Sequence, residues 1–214
     1  KVIKTLKKNG VAKVTMIGKV TKEILFKGLK FPDWRAIKLL AKLRNRKDDT
    51  IMLAIVEELA KDGLEVVDQT LYLKPLMPAC GVLSRRKPTA DEEDDIRFGF
   101  VTAKAMGGMD IGQTVVVKNK AVMAVEAIEG TDACIRRGGA LGREKSVVVK
   151  VAKPNQDPRF DVPAVGKQTI LSMIESKCNV LAMEAGRTLF VEQDEVLDLA
   201  NRHNICICAV DKNF

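Results

Sequence analysis

The stretch AVEAIEGTDACIRRGG, from Ala124 to Gly139, places Glu126, Glu129 and Asp132 within seven positions and follows them with Arg136 and Arg137. Thr131 is a good N-cap for a helix starting at Asp132, and an acid in a first turn complements the helix dipole. That accounts for Thr131 and Asp132. It does not account for Glu126, set among apolar residues of an expected strand, or for Glu129, just before Gly130. A glycine beside an exposed helix N-terminus lets backbone amides approach an anion. Acids at such a place repel a phosphate unless a divalent cation lies between them. The residues leave two readings open: a structural ion-pair cluster, or a site for Mg²⁺ or Mn²⁺ with a phosphate.

A second charged stretch, KVAKPNQDPRFDVPAVG, runs from Lys150 to Gly166 and sets Lys150, Lys153, Gln156, Asp157, Arg159 and Asp161 among Pro154, Pro158 and Pro163. Proline fixes φ and stiffens a loop that must hold charged side chains in place. Arg159 has the planar fork that grips phosphate oxygens bidentately. Asp161 is suited to orient or deprotonate a water, or to bind a metal. The plain alternative is a rigid surface loop with local salt bridges. AMEAGRT places Glu184, Gly186 and Arg187 at an expected strand end, a usual position for sites in α/β folds. DIGQ, from Asp110 to Gln113, reads as a strand-entry turn or part of the same site. A P-loop is excluded, because GGALGREKS carries Arg143 where the second glycine of that motif belongs.

Composition narrows the classes further. The chain has 214 residues, 46% hydrophobic and 30% charged, enough for one or two packed domains. It has no apolar run of ~18 residues, so no transmembrane helix is expected, and its basic start, KVIKTLKKNG, has no apolar signal core. Five cysteines without a C-x-x-C pair, and His203 as the one histidine, argue against structural zinc and for reduced, buried thiols in a cytosolic protein. A Ser-His or Cys-His nucleophile would have to use His203, which falls at the end of an expected helix, where capping or packing suffices. The net charge of +8 favours anionic partners. Nucleic acid is not expected as one of them, since aromatics are only 4% and no basic helix or RNA-binding motif occurs.

The elements that must position these residues read as α/β. In the first part, a helix ending at Gly10 precedes the strand VAKVTMIGKV. Helices follow in FPDWRAIKLLAKLRNR and DDTIMLAIVEELAKDG, the latter capped by Asp48 or Asp49 and stopped by Gly63, and then the strand LEVVD. This predicts a partial Rossmann-like domain over 1–74. Residues 75–88, with three prolines and no period, read as a linker, and 89–214 as a C-terminal mixed α/β domain. There, a capping box of Thr89 and Glu92 opens a helix to about Ala105. QTVVVKNKAVMAVEA predicts two strands around a turn at Lys118 to Lys120. SVVVKVAK, NVLAMEAG, TLFVEQ and ICICAV read as further strands, separated by helices in KQTILSMIESK and DEVLDLANRHN. Alternation puts Cys206 and Cys208 on one face of the last strand.

RKDD, DIGQTVVV, AVEAIEGTD, VKVAKPNQDPRFDVPAVG and EAGRT, in this order, resemble the UDP-2,3-diacylglucosamine pyrophosphatases of lipid A biosynthesis. The resemblance spans nearly the whole chain and is densest from Asp110 to Arg187. It implies a Rossmann-like N-terminal domain and a C-terminal α/β domain. It also implies Mg²⁺- or Mn²⁺-dependent hydrolysis of UDP-2,3-diacylglucosamine to lipid X and UMP, with water attacking the phosphorus on the sugar side. The family's catalytic aspartate falls in the segment matched by Arg159-Phe160-Asp161-Val162-Pro163. On this reading Asp161 and Arg159 are catalytic, and Lys150, Lys153, Gln156, Gln113, Thr131 and Arg187 bind substrate. Asp161, Glu126, Glu129 and Asp132 are the candidate metal ligands. The expected partners are the substrate, lipid X and the cytosolic face of the inner membrane, where the protein would be peripheral; a homodimer is compatible with the sequence. Two acyl chains call for an apolar groove beside the charged site, its walls from LYLKPLMPACGVL and the helix around Phe98 to Met106. The family's opening strand and glycine-rich turn have no counterpart in this chain, so part of the N-terminal domain is expected to be missing from it. The alternatives are a non-catalytic binder of a nucleotide sugar or anionic lipid, and a basic scaffold at the membrane.

Overall fold

The computed structural model describes residues 2–17, 34–41 and 48–214. Among them are seven α-helices and ten strands, a mixed α/β protein. The chain divides into two compact units, one of residues 1–72 with 157–161, the other of 73–156 with 162–214.

The first unit holds α1 (Val2–Lys8), β1 (Lys13–Val14), α2 (Trp34–Ala41), α3 (Asp48–Ala60) and β2 (Glu65–Val66). β1 and β2 pair in parallel, Lys13 opposite Glu65 and Val14 opposite Val66, so both expected strands are present but short. α3 ends before Gly63, whose φ of 76° makes the turn into β2. Val56, Leu59, Leu64 and Val66 form a small core on which Ile3, Leu6, Val14 and Phe160 pack. Phe160 and a hydrogen bond from Gln69 N to Pro158 O (3.1 Å) explain why residues 157–161 group here and not with the C-terminal domain in which the sequence places them. The ends of the segments read as strand 11–20 and helix 31–46, the cap at Asp48 or Asp49, and the turn at Arg46–Lys47 lie outside the described residues and side chains.

The second unit is built on a six-stranded sheet. Its strands are β3 (Gly81–Val82), β4 (Thr114–Lys118), β5 (Ala121–Val125), β6 (Ser146–Lys150), β8 (Cys178–Glu184) and β10 (Cys206–Val210), in the order β3-β10-β8-β6-β4-β5. β6, β8 and β10 are parallel; β3, β4 and β5 run antiparallel to their neighbours. β7 (Ala164–Val165) and β9 (Leu189–Phe190) make a separate parallel pair. The stretch 75–88, read as a linker, contributes β3 to the sheet edge.

Helices cover both faces, which is why SVVVK and ICICAV read as continuous apolar runs. α4 (Ala90–Gly108) packs Ile96, Phe100 and Ala103 on Val115, Val117, Val147, Val149, Cys206 and Cys208. The two cysteines do share a face. α5 (Thr131–Gly142), α6 (Lys167–Glu175) and α7 (Gln193–Arg202) cover the other, where Val116, Val148, Leu181 and Ile207 point. α5 lies close to the sheet because Gly138 has no side chain: a Cβ there would be 2.4 Å from Val116 Cβ. The Thr89–Glu92 capping box opens α4 as expected, and the helix runs past Ala105 to Gly108.

The hairpin turn of β4 and β5 shows how α4 fixes this sheet. Asn119 and Lys120 both have positive φ (51° and 57°), as tight two-residue hairpins require. Their backbone N–H groups donate to the buried carboxylate of Asp95 on α4, at 2.9 and 2.5 Å. Asp95→Ala orphans both donors and is expected to cost about 2 kcal/mol in a denaturant titration. A loss within about 0.5 kcal/mol, the range of a neutral surface change, would show that water replaces the carboxylate.

Candidate active site

The parallel strands β6 and β8 end at Lys150 and Glu184. β4 begins at the same end of the sheet, Thr114 opposite Lys150, and β5 finishes there at Val125. Strand carboxyl ends are the usual place for sites in α/β sheets. Because β5 stops at Val125, Glu126 lies just beyond the strand rather than within it. The N-cap of α5 is Gly130, φ 82°, not Thr131. Thr131 becomes the first helical residue, and its hydroxyl donates to Glu126 Oε1 instead of capping (2.9 Å).

This places six of the expected residues in one hydrogen-bonded set within the second unit. Lys150 Nζ donates to Thr131 Oγ1 (3.1 Å) and to the Ala164 carbonyl (2.9 Å). Gln113 N donates to Glu126 Oε2 at 3.4 Å. Gln156 Nε2 donates to Gln113 Oε1 (3.3 Å), while Gln156 Oε1 accepts from Lys153 N (2.8 Å). DIGQ is thus part of the set, and its glycine has a reason: a Cβ on Gly112 would be 2.1 Å from Glu126 O. Lys153 Nζ pairs with Asp110 at 2.8 Å.

Several of the remaining charges are paired outside this set. Glu129 faces Arg137 (2.5 Å) and accepts from Ala127 N, and the guanidinium holds its carboxyl below the usual range. Asp132 sits in the first turn of α5, and Arg136 pairs with Glu175. In the first unit, Arg159 donates to Asp157 through Nε and Nη2, which lowers the pKa of the acid and raises that of the base. Asp161 closes the same turn, its N–H on Asp157 O. So the question put by the 124–139 stretch has a direct answer in part: Glu129 is held by Arg137, and Glu126 by Thr131 and the Gln113 amide. Among the described residues, no group of three or more His, Cys, Asp or Glu side chains is arranged to hold a metal.

Lys104, which sequence reasoning left out, joins Glu184 of AMEAGRT at this end of the sheet. Lys104 of α4 donates to both oxygens of Glu184 (3.0 Å each) and to Ala152 O (2.8 Å), and Glu184 Oε2 accepts from Ala152 N (2.8 Å). Arg187 Nη1 is 3.9 Å from Glu184. A lysine within an amphipathic helix gives no sequence signal for this; only the packing of α4 against the sheet aims it at β8. Cys134, under the site, is a poor nucleophile candidate. Burial pushes Cys134 up to about 12, with Glu126 adding to the effect. His203 is the exposed C-cap residue of α7, as its position predicts.

α4 turns Ile96, Phe100, Ala103 and Met106 inward, which leaves Phe98 and Val101 exposed on its outer side. The first unit contains a cavity of about 880 Å³, lined by Ile3, Leu6, Val14, Leu39, Ile55 and Leu59 and rimmed by charged residues including Lys4 and Arg35.

Comparison with known proteins agrees with the resemblance read from the motifs. Residues 1–76 match the family model described as LpxI N-terminal domain, and residues 79–208 the LpxI C-terminal domain. A Caulobacter vibrioides protein named UDP-2,3-diacylglucosamine pyrophosphatase LpxI is 31% identical over 222 residues, which cover 99% of this chain and 79% of that protein. The chain belongs to the LpxI family.

Proposed function

We propose that this chain is a hydrolase that cleaves the pyrophosphate bond of UDP-2,3-diacylglucosamine, giving 2,3-diacylglucosamine 1-phosphate (lipid X) and UMP in lipid A biosynthesis. The observation that carries this is the match, over nearly all of the chain, to a relative named for that substrate. The buried Lys150 at the end of β6, hydrogen-bonded to Thr131, supports it, because a diphosphate needs fixed donors.

In this reading Lys150 and Lys153 hold diphosphate oxygens, Thr131 steadies Lys150, and Gln113 and Gln156 fix the backbone that carries them. Arg159 offers its fork to a phosphate that displaces Asp157. Asp161 orients the water that attacks the phosphorus on the sugar side; the P–O bond to UMP breaks and the water's oxygen stays with lipid X. The donors fit a hard cation, with a limit. Asp161 and the diphosphate oxygens would hold Mg²⁺ or Mn²⁺, an ion that keeps several waters, while Glu129 is paired with Arg137 and Glu126 with Thr131. When bound, the cation neutralises diphosphate charge. The apolar cavity of the first unit suits acyl chains, each buried CH₂ being worth ~0.8 kcal/mol. No described helix is long and apolar enough to cross a membrane, and the charge of +8 favours peripheral contact with an anionic inner-membrane surface.

The test is UMP release from UDP-2,3-diacylglucosamine, with Mg²⁺ and with chelator. Release that stops on chelation supports the reading. Release indifferent to chelation removes the cation, and binding of lipid X without any UMP release returns the protein to the class of non-catalytic binders.

A further inference from the structure

Within that reading, on which it rests, we infer that Glu126 is a positioning residue for Thr131 and Lys150 and not a cation ligand. An ammonium group can only donate, and an ionised carboxylate can only accept. Thr131 stands between the two, its oxygen 3.1 Å from Lys150 Nζ and 2.9 Å from Glu126 Oε1. Its single proton therefore goes to Glu126, and its lone pairs face Lys150. The chain has one possible polarity, Lys150 to Thr131 to Glu126, so the carboxylate sets the direction of the hydroxyl, and the hydroxyl helps set the ammonium.

Glu126 is itself held from several sides. Its second oxygen takes the Gln113 N–H, its own N–H donates to Thr114 O at 2.8 Å, and its carbonyl lies where a side chain on residue 112 would be. Each Glu126 carboxylate oxygen already accepts one hydrogen bond, so a cation would share those oxygens with Thr131 and the Gln113 N–H, and any shift that drew the carboxylate off Thr131 would free the hydroxyl to rotate away from Lys150. Burial adds a second reason: Glu126 is 9% and Lys150 7% exposed. At that depth polar groups must be hydrogen-bonded, and the chain through Thr131 serves both. The product of this arrangement is a fixed cationic donor at the end of β6, suited to an oxygen of a diphosphate.

The experiment compares wild type with Glu126→Gln, Thr131→Val, Thr131→Ser and the double variant Glu126→Gln/Thr131→Val. Turnover is read as UMP release, and Mn²⁺ affinity is read by electron paramagnetic resonance with UMP present. If the two residues act through one chain, Glu126→Gln and Thr131→Val each lower kcat about tenfold or more, and the double variant is little worse than the poorer single. Thr131→Ser, which keeps the hydroxyl, restores turnover to within about threefold of wild type, and the Mn²⁺ Kd of Glu126→Gln stays within about twofold, unlike the 10-fold or greater loss expected for a disturbed metal site. A Mn²⁺ Kd raised by that larger factor overturns the inference, as do multiplicative losses in the double variant or a Glu126→Gln enzyme with wild-type kcat. Should Glu126→Gln fail to fold, the Thr131→Ser and Thr131→Val pair decides: equal turnover overturns the chain. Wild-type protein that releases no UMP overturns the parent reading, and the inference with it.

Discussion

Asp161→Ala is expected to lower UMP release by a factor of about 10² to 10⁴ while the protein stays folded. The two parts of that expectation have separate grounds. The turn from Asp157 to Asp161 is held by backbone hydrogen bonds, Phe160 N and Asp161 N to Asp157 O, by Gln69 N to Pro158 O, and by Phe160 packed on the first unit's core. These contacts hold the turn through its backbone and Phe160, so truncation is expected to cost about 1 kcal/mol, the central value for a point substitution. The rate loss follows from the role assigned to the carboxylate, which is to orient water or hold the cation. Melting curves and turnover measured together are the check. Near wild-type turnover would remove Asp161 from the mechanism. A collapse in melting temperature would make its role structural.

The largest expected loss of stability comes from Glu184→Ala. Lys104 and Glu184 are 24% and 10% exposed in their side chains, and their pair does more than balance charge. Glu184 accepts from Ala152 N and Lys104 donates to Ala152 O, so one ion pair holds both backbone groups of the residue that leads out of β6. Removing the carboxylate leaves a largely buried ammonium and a buried N–H without their acceptor. Breaking one side of such a pair costs about 3 kcal/mol or more. For a chain of this size that is a fall of roughly 6–12 °C in melting temperature. The double variant Lys104→Met/Glu184→Gln should lose less than Glu184→Ala, because it orphans no charge. A single-variant loss below about 1 kcal/mol would place the pair among ordinary surface ion pairs.

Much of the fold was legible because its elements satisfy local rules. Thr89 and Glu92 satisfy a capping box from their spacing alone, and α4 begins there. The alternation of ICICAV put Cys206 and Cys208 on one face, which they share against α4. The apolar runs around the 118–120 turn gave the β4–β5 hairpin. The edge strand β3 was not legible, because two residues between prolines, Gly81 and Val82, carry no period; only pairing with β10 makes them a strand. Nor was the grouping of residues 157–161 with the first unit, since it depends on where Phe160 finds a core.

The same division holds for the site. Sequence by itself determined the family, through long ordered motifs, and the residue types that a phosphate site needs, through charged and amide side chains gathered near glycines and prolines. It could not say which charge each acid would meet. Glu129 turns to Arg137, eight residues on, while Glu126, three residues earlier, turns to Thr131 and thereby to Lys150 on another strand. Strand and helix periods fix which way a side chain leaves its own element. Which partner it reaches depends on where β5 ends, on α5 being capped by Gly130 and not Thr131, and on the sheet order that sets β4 between β5 and β6. Those are long-range facts of pairing and packing, and they decided that Glu126 ends a buried hydrogen-bond chain while Lys104, unmarked in its helix, clamps the exit of β6.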